Sequence, residues 1–153
     1  MDLSSGVIYR FKNYKFEDDQ GHRDKYTIVL HSNPKEAVLI HSLTTSQNKL
    51  SVPEIHYGCS MYNNRFPYFF FPAGNVIGDQ NFSFSKNTFI FFANNIRREP
   101  VEKFEKAAKE IFGMTYLGKL LPEELKRIIK CALKSKLITR DIESVLIELK
   151  HKL

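Results

Sequence analysis

Apolar residues follow two rhythms along this chain: short β-like runs as far as about residue 98, and helical spacing from about residue 100 onward. Gly6 to Phe11 (GVIYRF) is rich in the β-branched and aromatic residues that suit a pleated, half-buried strand. Lys12 to Lys25 (KNYKFEDDQGHRDK) is polar and holds an Asp-Asp-Gln-Gly turn signal, so a long loop is expected there. Tyr26 to Leu30 predicts a second strand, closed by the turn-like Ser32-Asn33-Pro34-Lys35. Ala37 to Leu43 predicts a third, ending in Thr44-Thr45-Ser46-Gln47, and the three make a meander. Ser51 to Tyr57 admits an edge strand, because Pro53 lacks the donor a central strand needs. Pro67 to Pro72 (PYFFFP) and Asn87 to Phe92 (NTFIFF) are each long enough for a buried strand, with two glycines for turns between them.

The second rhythm gives three helices. Pro100 suits a first helical position, Val101, Phe104, Ala108 and Ile111 follow at helical spacing, and Gly113 ends the run. A second helix starts at Pro122, with Glu123 and Glu124 favoured by its positive end and Leu125, Ile128, Ile129, Ala132 and Leu133 on one face. A third has Thr139 as N-cap and Ile142, Val145, Leu146 and Leu149 on one face. Strands followed by helices indicate an α+β fold. Short strands with a long first loop suit a small half-open barrel of SH3-like type, residues 1–98, with a helical extension, residues 99–153, packed on it as one domain.

A chain of 153 residues encloses one real core, and a charged fraction of 26% against 42% hydrophobic argues against wholesale disorder. No apolar run approaches the roughly 20 residues a membrane-crossing helix needs. The start, MDLSSGVIYRF, has no basic segment followed by an apolar one, so no secretion signal is expected and the cytoplasm is the expected compartment. Cys59 and Cys131 are expected as buried free thiols rather than a disulfide, in keeping with a reducing compartment. His22, His31, His41, His56 and His151 form no metal-ligand spacing with them or with each other, so neither zinc nor another cofactor is expected. The net charge of +6 favours a polyanionic partner, nucleic acid or an acidic protein. Thirteen Phe, clustered in the middle, read either as core or as base-stacking platforms.

GVIYRF, a polar loop with Gly21-His22-Arg23, then KYTIVL, and a strand ending in LTTSQ resemble the MazF/PemK toxin family over residues 6 to 47. The helical PEELKRIIKCALKS is similar in character to tails of PemK-like proteins. The resemblance implies an SH3-like barrel that cleaves single-stranded RNA, often mRNA, without metal, using an Arg and a Thr near the first loop. Lys25 then stands at the catalytic Arg, with Lys25-Tyr26 in place of the family's Arg-Pro and Arg23 as the nearby Arg, and Thr44 falls on the family's Thr. Metal-free cleavage needs a cation beside the scissile phosphate, which Lys25 or Arg23 would supply. It also needs proton transfer, for which His22 titrates near neutrality. Thr44 would hydrogen-bond a phosphate oxygen. Lys12, Lys15, Thr45, Lys49, Arg65 and Arg97 would track the backbone, and Asn94 and Asn95 would read base edges. Glu17, Asp18 and Asp19 in the first loop would repel RNA if they faced it. The partners implied are RNA, an acidic antitoxin protein and a second copy of the chain. Two rivals remain: a gyrase poison of CcdB type acting through its last helix, and a non-catalytic RNA- or protein-binding module.

Overall fold

The computed structural model describes residues 1–15, 22–46, 50, 55–110 and 113–153; of residues 13–15, 22–24, 94, 107 and 110 it describes the backbone alone. Among the described residues eight strands form two antiparallel sheets. The first runs β7-β3-β2-β1-β8, made of β1 (Val7–Lys15), β2 (His22–Asn33), β3 (Val38–Leu43), β7 (Ile96–Pro100) and β8 (Met114–Lys119). The second runs β4-β5-β6, made of β4 (Gly58–Tyr62), β5 (Phe66–Phe71) and β6 (Thr88–Phe91). One helical turn, α1 (Phe92–Asn95), and three longer helices, α2 (Val101–Glu110), α3 (Pro122–Ala132) and α4 (Arg140–Lys152), complete the fold. The α+β class stands, and among the described residues the two sheets do not close into a barrel.

The period-two alternation of the first sheet sorts its side chains cleanly. Val7, Tyr9, Phe11, Val29 and Leu39 meet Phe104 and Ala108 of α2 on one face. Ile8, Ile28, Leu30 and Ile40 enter the main core on the other, with Phe69, Phe71 and Ile90 of the second sheet and Leu125, Ile128 and Ile129 of α3. Tyr68, Phe70, Phe89 and Phe91 lie on the opposite side of the second sheet, packed with Leu50, Ile55 and Tyr62. The Phe runs are therefore core: Phe69, Phe71, Phe89 and Phe91 are no more than 3% exposed, which leaves no face for a base.

Several sequence expectations need correction. The polar stretch after Phe11 is not wholly loop: β1 and β2 extend into it as a hairpin, with Tyr14 opposite Arg23 and Lys15 opposite His22. The helical portion is interrupted by β8, which pairs with β1, so the chain after residue 100 is not purely helical. Pro100 closes β7 opposite Val38 rather than opening α2. The possible strand at Ser51 to Tyr57 is not found at Ile55 to Tyr57, and Ser51 to Glu54 lie outside the described residues; the strand begins at Gly58. Ile111 also lies outside them. The helices beginning at Pro122 and after Thr139 match their expected faces, with Leu125, Ile128, Ile129, Ala132, Ile142 and Leu146 buried.

Cys59 and Cys131 are not free thiols. They form a disulfide that ties β4 to α3, and the thiol argument for a reducing compartment falls away. No helix among the described residues is long and apolar enough to cross a membrane.

Candidate functional site

A cleft of about 390 Å³ opens where the chain passes from one sheet to the other. After β3 the Thr44 N–H donates to Tyr26 O of the first sheet (3.2 Å). One residue on, Thr45 exchanges both backbone hydrogen bonds with Phe89 of β6 in the second sheet (2.9 and 2.8 Å). The corner therefore presents successive hydroxyls at the junction. The walls are Lys25 and Tyr26 from β2, Thr44, Thr45 and Ser46 from the corner, and Phe84, Ser85, Lys86 and Thr88 from the approach to β6.

The chemistry of these walls is one-sided. Among the described lining residues are two lysines and five aliphatic hydroxyls and no carboxylate. Thr44 is buried, and its hydroxyl reaches Tyr26 O only at 3.5 Å, a weak bond that a better acceptor would displace. The Thr88 hydroxyl donates to Lys86 O at 2.8 Å and fixes the turn that carries Lys86. The Tyr26 ring meets Phe84 edge to face, with centroids 5.4 Å apart, forming an aromatic wall beside the cations. Such a set suits an anion with several acceptor oxygens and an adjoining planar group.

Of the residues expected from sequence, Lys25, Thr44 and Thr45 come together in this cleft. His22 and Arg23 lie in the same strand as Lys25, and their side chains fall outside the description. Lys12 is exposed on β1; the Lys15 side chain is not described, and Lys49 lies outside the described residues, as do Glu17, Asp18 and Asp19. Arg65 is elsewhere: it sits in the β4–β5 turn with its guanidinium 5.4 Å from the Phe66 ring centroid. Thr88 pairs with Phe71 at the other end of β5, so the strand separates Arg65 from the cleft by about 16 Å. Asn95 accepts the Phe91 N–H at 2.8 Å and serves the turn after β6; the Asn94 side chain is not described. Arg97 is exposed on the edge strand β7, opposite His41. Sequence reasoning missed Lys86, Ser85, Thr88, Phe84 and Tyr26. Their only local signal is the Ser-Lys-Asn-Thr stretch between two aromatic runs.

A second polar chain lies under α2. Thr27 Oγ1–H has two acceptors within reach, His41 Nδ1 at 2.7 Å and Ser42 O at 3.1 Å, while His41 Nε2 meets Glu99 Oε2 at 2.9 Å. The order Thr-His-Glu mimics a nucleophilic triad. Thr27 is completely buried, however, so no substrate reaches its hydroxyl, and the chain is structural. The bond with His41 holds the Glu99 carboxyl below its usual 4.5. A carboxyl lowered on folding stabilises the fold above its unfolded value, and that contribution is lost as pH falls through the folded value. Urea midpoints of the parent chain and Glu99→Gln are therefore expected to differ at pH 7 and to converge as the pH falls through the lowered folded-state value of Glu99. A gap that stays constant with pH would contradict this role for Glu99.

Comparison with protein-family models, curated proteins and solved structures finds no match to this chain.

Proposed function

We propose that the chain binds single-stranded RNA in the corner cleft and cleaves it without a metal, as the toxin of a toxin–antitoxin pair. The observation that supports this reading most is that Lys25 and Thr44 line one cavity with Lys86 and four further hydroxyls, with no acid among the described lining residues. In a metal-free cleavage the 2′-oxygen attacks the adjacent phosphorus, a 2′,3′-cyclic phosphate forms, and the 5′-oxygen leaves with a proton. Lys25 and Lys86 would stabilise the extra charge on the pentavalent phosphate, acting as compact point charges. Thr44 and Thr45 would donate to the non-bridging oxygens, and the half-buried Tyr26 ring would take a flanking base. His22 is the proposed group for proton transfer. The same reading keeps the SH3-like relationship, a homodimer and an acidic antitoxin as proposals; the last would be drawn to the basic cleft by charge.

One observation favours a second reading, binding without cleavage. The described lining holds no imidazole or carboxylate to act as a base. Both readings share the binding step, which is tested by fluorescence anisotropy of a labelled single-stranded RNA. Lys25→Ala/Lys86→Ala is expected to weaken binding by roughly 100-fold or more, since each of two hydrogen bonds to a charged group contributes about 1.5–3 kcal/mol. The slope of log affinity against log salt should become shallower by about 1.4, at roughly 0.7 for each phosphate contact on a single strand. Unchanged affinity and slope, with an unchanged circular dichroism spectrum, would remove the cleft from the account.

A further inference from the structure

The two halves of the disulfide sit in different surroundings. Cys59 is exposed on β4, an edge strand of the second sheet, whereas Cys131 of α3 is completely buried. A thiolate opens a disulfide by attacking one sulfur and displacing the other, so exchange needs a sulfur that a thiol can reach. Cys59 is therefore the side attacked and Cys131 the leaving group. Beside the bond lies a pocket of about 160 Å³. Met61, in its wall, is two residues along β4 from Cys59 and on the same face, about 7 Å away. Ser135, also in its wall, follows Cys131 by one turn, which the Lys134 N–H closes on Cys131 O and the Ser135 N–H on Ala132 O.

Three cations, Arg65, Lys134 and Lys136, line this pocket, with no carboxylate among its described lining residues. None of the three pairs with a carboxylate elsewhere among the described residues. The exposed Met61 and Leu137 add an apolar flank. Such a pocket suits a small molecule that carries carboxylates on a short aliphatic body. We propose that Cys59 is a modification site for a small acidic thiol, which seats its carboxylates on Arg65, Lys134 and Lys136 and forms a mixed disulfide. The thiolate attacks Cys59 Sγ, a new S–S bond forms, the Cys59–Cys131 bond breaks, and its electron pair leaves on Cys131 Sγ. That sulfur takes from water the proton the incoming thiol gave up, and Tyr68 O, 3.3 Å away, accepts the new S–H. The tie between β4 and α3 is then lost, and stability falls with it. The pocket shares no lining residue with the corner cleft, and its chemistry is independent of RNA binding.

The test adds glutathione, a thiol that carries carboxylates, or 2-mercaptoethanol, which carries none, to the folded, oxidised full chain. Acid-quenched samples are then read by peptide mass spectrometry. Glutathione should appear on Cys59 and not on Cys131, and the urea midpoint should fall as it does. Lys134 and Lys136 are exposed, so Lys134→Gln/Lys136→Gln keeps the fold. That variant should react about five- to tenfold more slowly with glutathione and no more than about twofold more slowly with 2-mercaptoethanol, a difference that added salt narrows. Lys103→Gln/Lys109→Gln removes the same charge from α2, on the opposite face of the first sheet from α3, and should leave both rates unchanged. Glutathione attached at Cys131, or a bond that opens only in denaturant, would overturn the proposal. So would a Lys134→Gln/Lys136→Gln chain that reacts with glutathione at the parent's rate, or one slowed equally with both thiols.

Discussion

Phe69→Ala is expected to destabilise the chain by about 3–5 kcal/mol, in the range for a large aromatic removed from a core that closes only partly over the space left behind. Phe69 is completely buried in β5, the central strand of the second sheet, paired with Cys59 of β4 and Ile90 of β6. Its ring meets Phe71 at 4.8 Å and Tyr57 at 6.1 Å between centroids, and the Arg127 guanidinium lies 5.5 Å away. The Tyr57 hydroxyl in turn donates to Glu124 of α3, and burial pushes that hydroxyl up to about 12. Losing the ring therefore loosens the seam between the second sheet and α3. Because β6 also holds Thr45 in place, the loss should reach the cleft. Urea denaturation followed by far-ultraviolet circular dichroism measures the change. A loss below about 1 kcal/mol would mean that Phe69 packs on the surface, not in the core.

The second large effect belongs to the disulfide. Cys59 and Cys131 are 72 residues apart, and the chain-entropy relation for a loop of that size gives about 4 kcal/mol of stabilisation through the unfolded state. Cys59→Ser/Cys131→Ser is expected to lower stability by up to that amount, and its urea midpoint should not respond to reductant. The parent chain should fall toward the variant when reduced. Two alkylatable thiols in the unreduced, denatured parent chain would contradict the bond.

How legible the fold was in the sequence followed from where each element buries its side chains. The cores of β1, β2, β3, β5 and β6 are buried and carry the apolar runs that predicted them, while α3 and α4 show their faces at helical spacing. By contrast, β4 exposes Cys59, Ser60 and Met61 and reads as loop, because an edge strand with one side in solvent has little apolar period. The same holds for β8, where only Gly118 is buried. Both strands exist through the partner ladders, β5 for one and β1 for the other, which no local pattern records. The disulfide was missed for a similar reason: whether two distant cysteines meet depends on how α3 packs on β4.

The cleft divides along the same line. Lys25, Thr44 and Thr45 were reached through a resemblance confined to the first three strands, and they lie together because β2 and β3 are neighbours. Lys86 and Ser85 arrive from the approach to β6, which the Thr45–Phe89 pairing ties to the corner. Arg65 was chosen for its charge and Asn95 for its amide and its place before the helices, and their positions are set by a hairpin turn and a backbone N–H.

The central claim is tested most directly by incubating the purified chain with single-stranded RNA in excess chelator, beside Lys25→Ala/Thr44→Ala. The account predicts discrete fragments ending in 2′,3′-cyclic phosphate with the parent chain and intact RNA with the variant, both proteins remaining folded. Intact RNA at every concentration of the folded parent chain would contradict the nuclease reading.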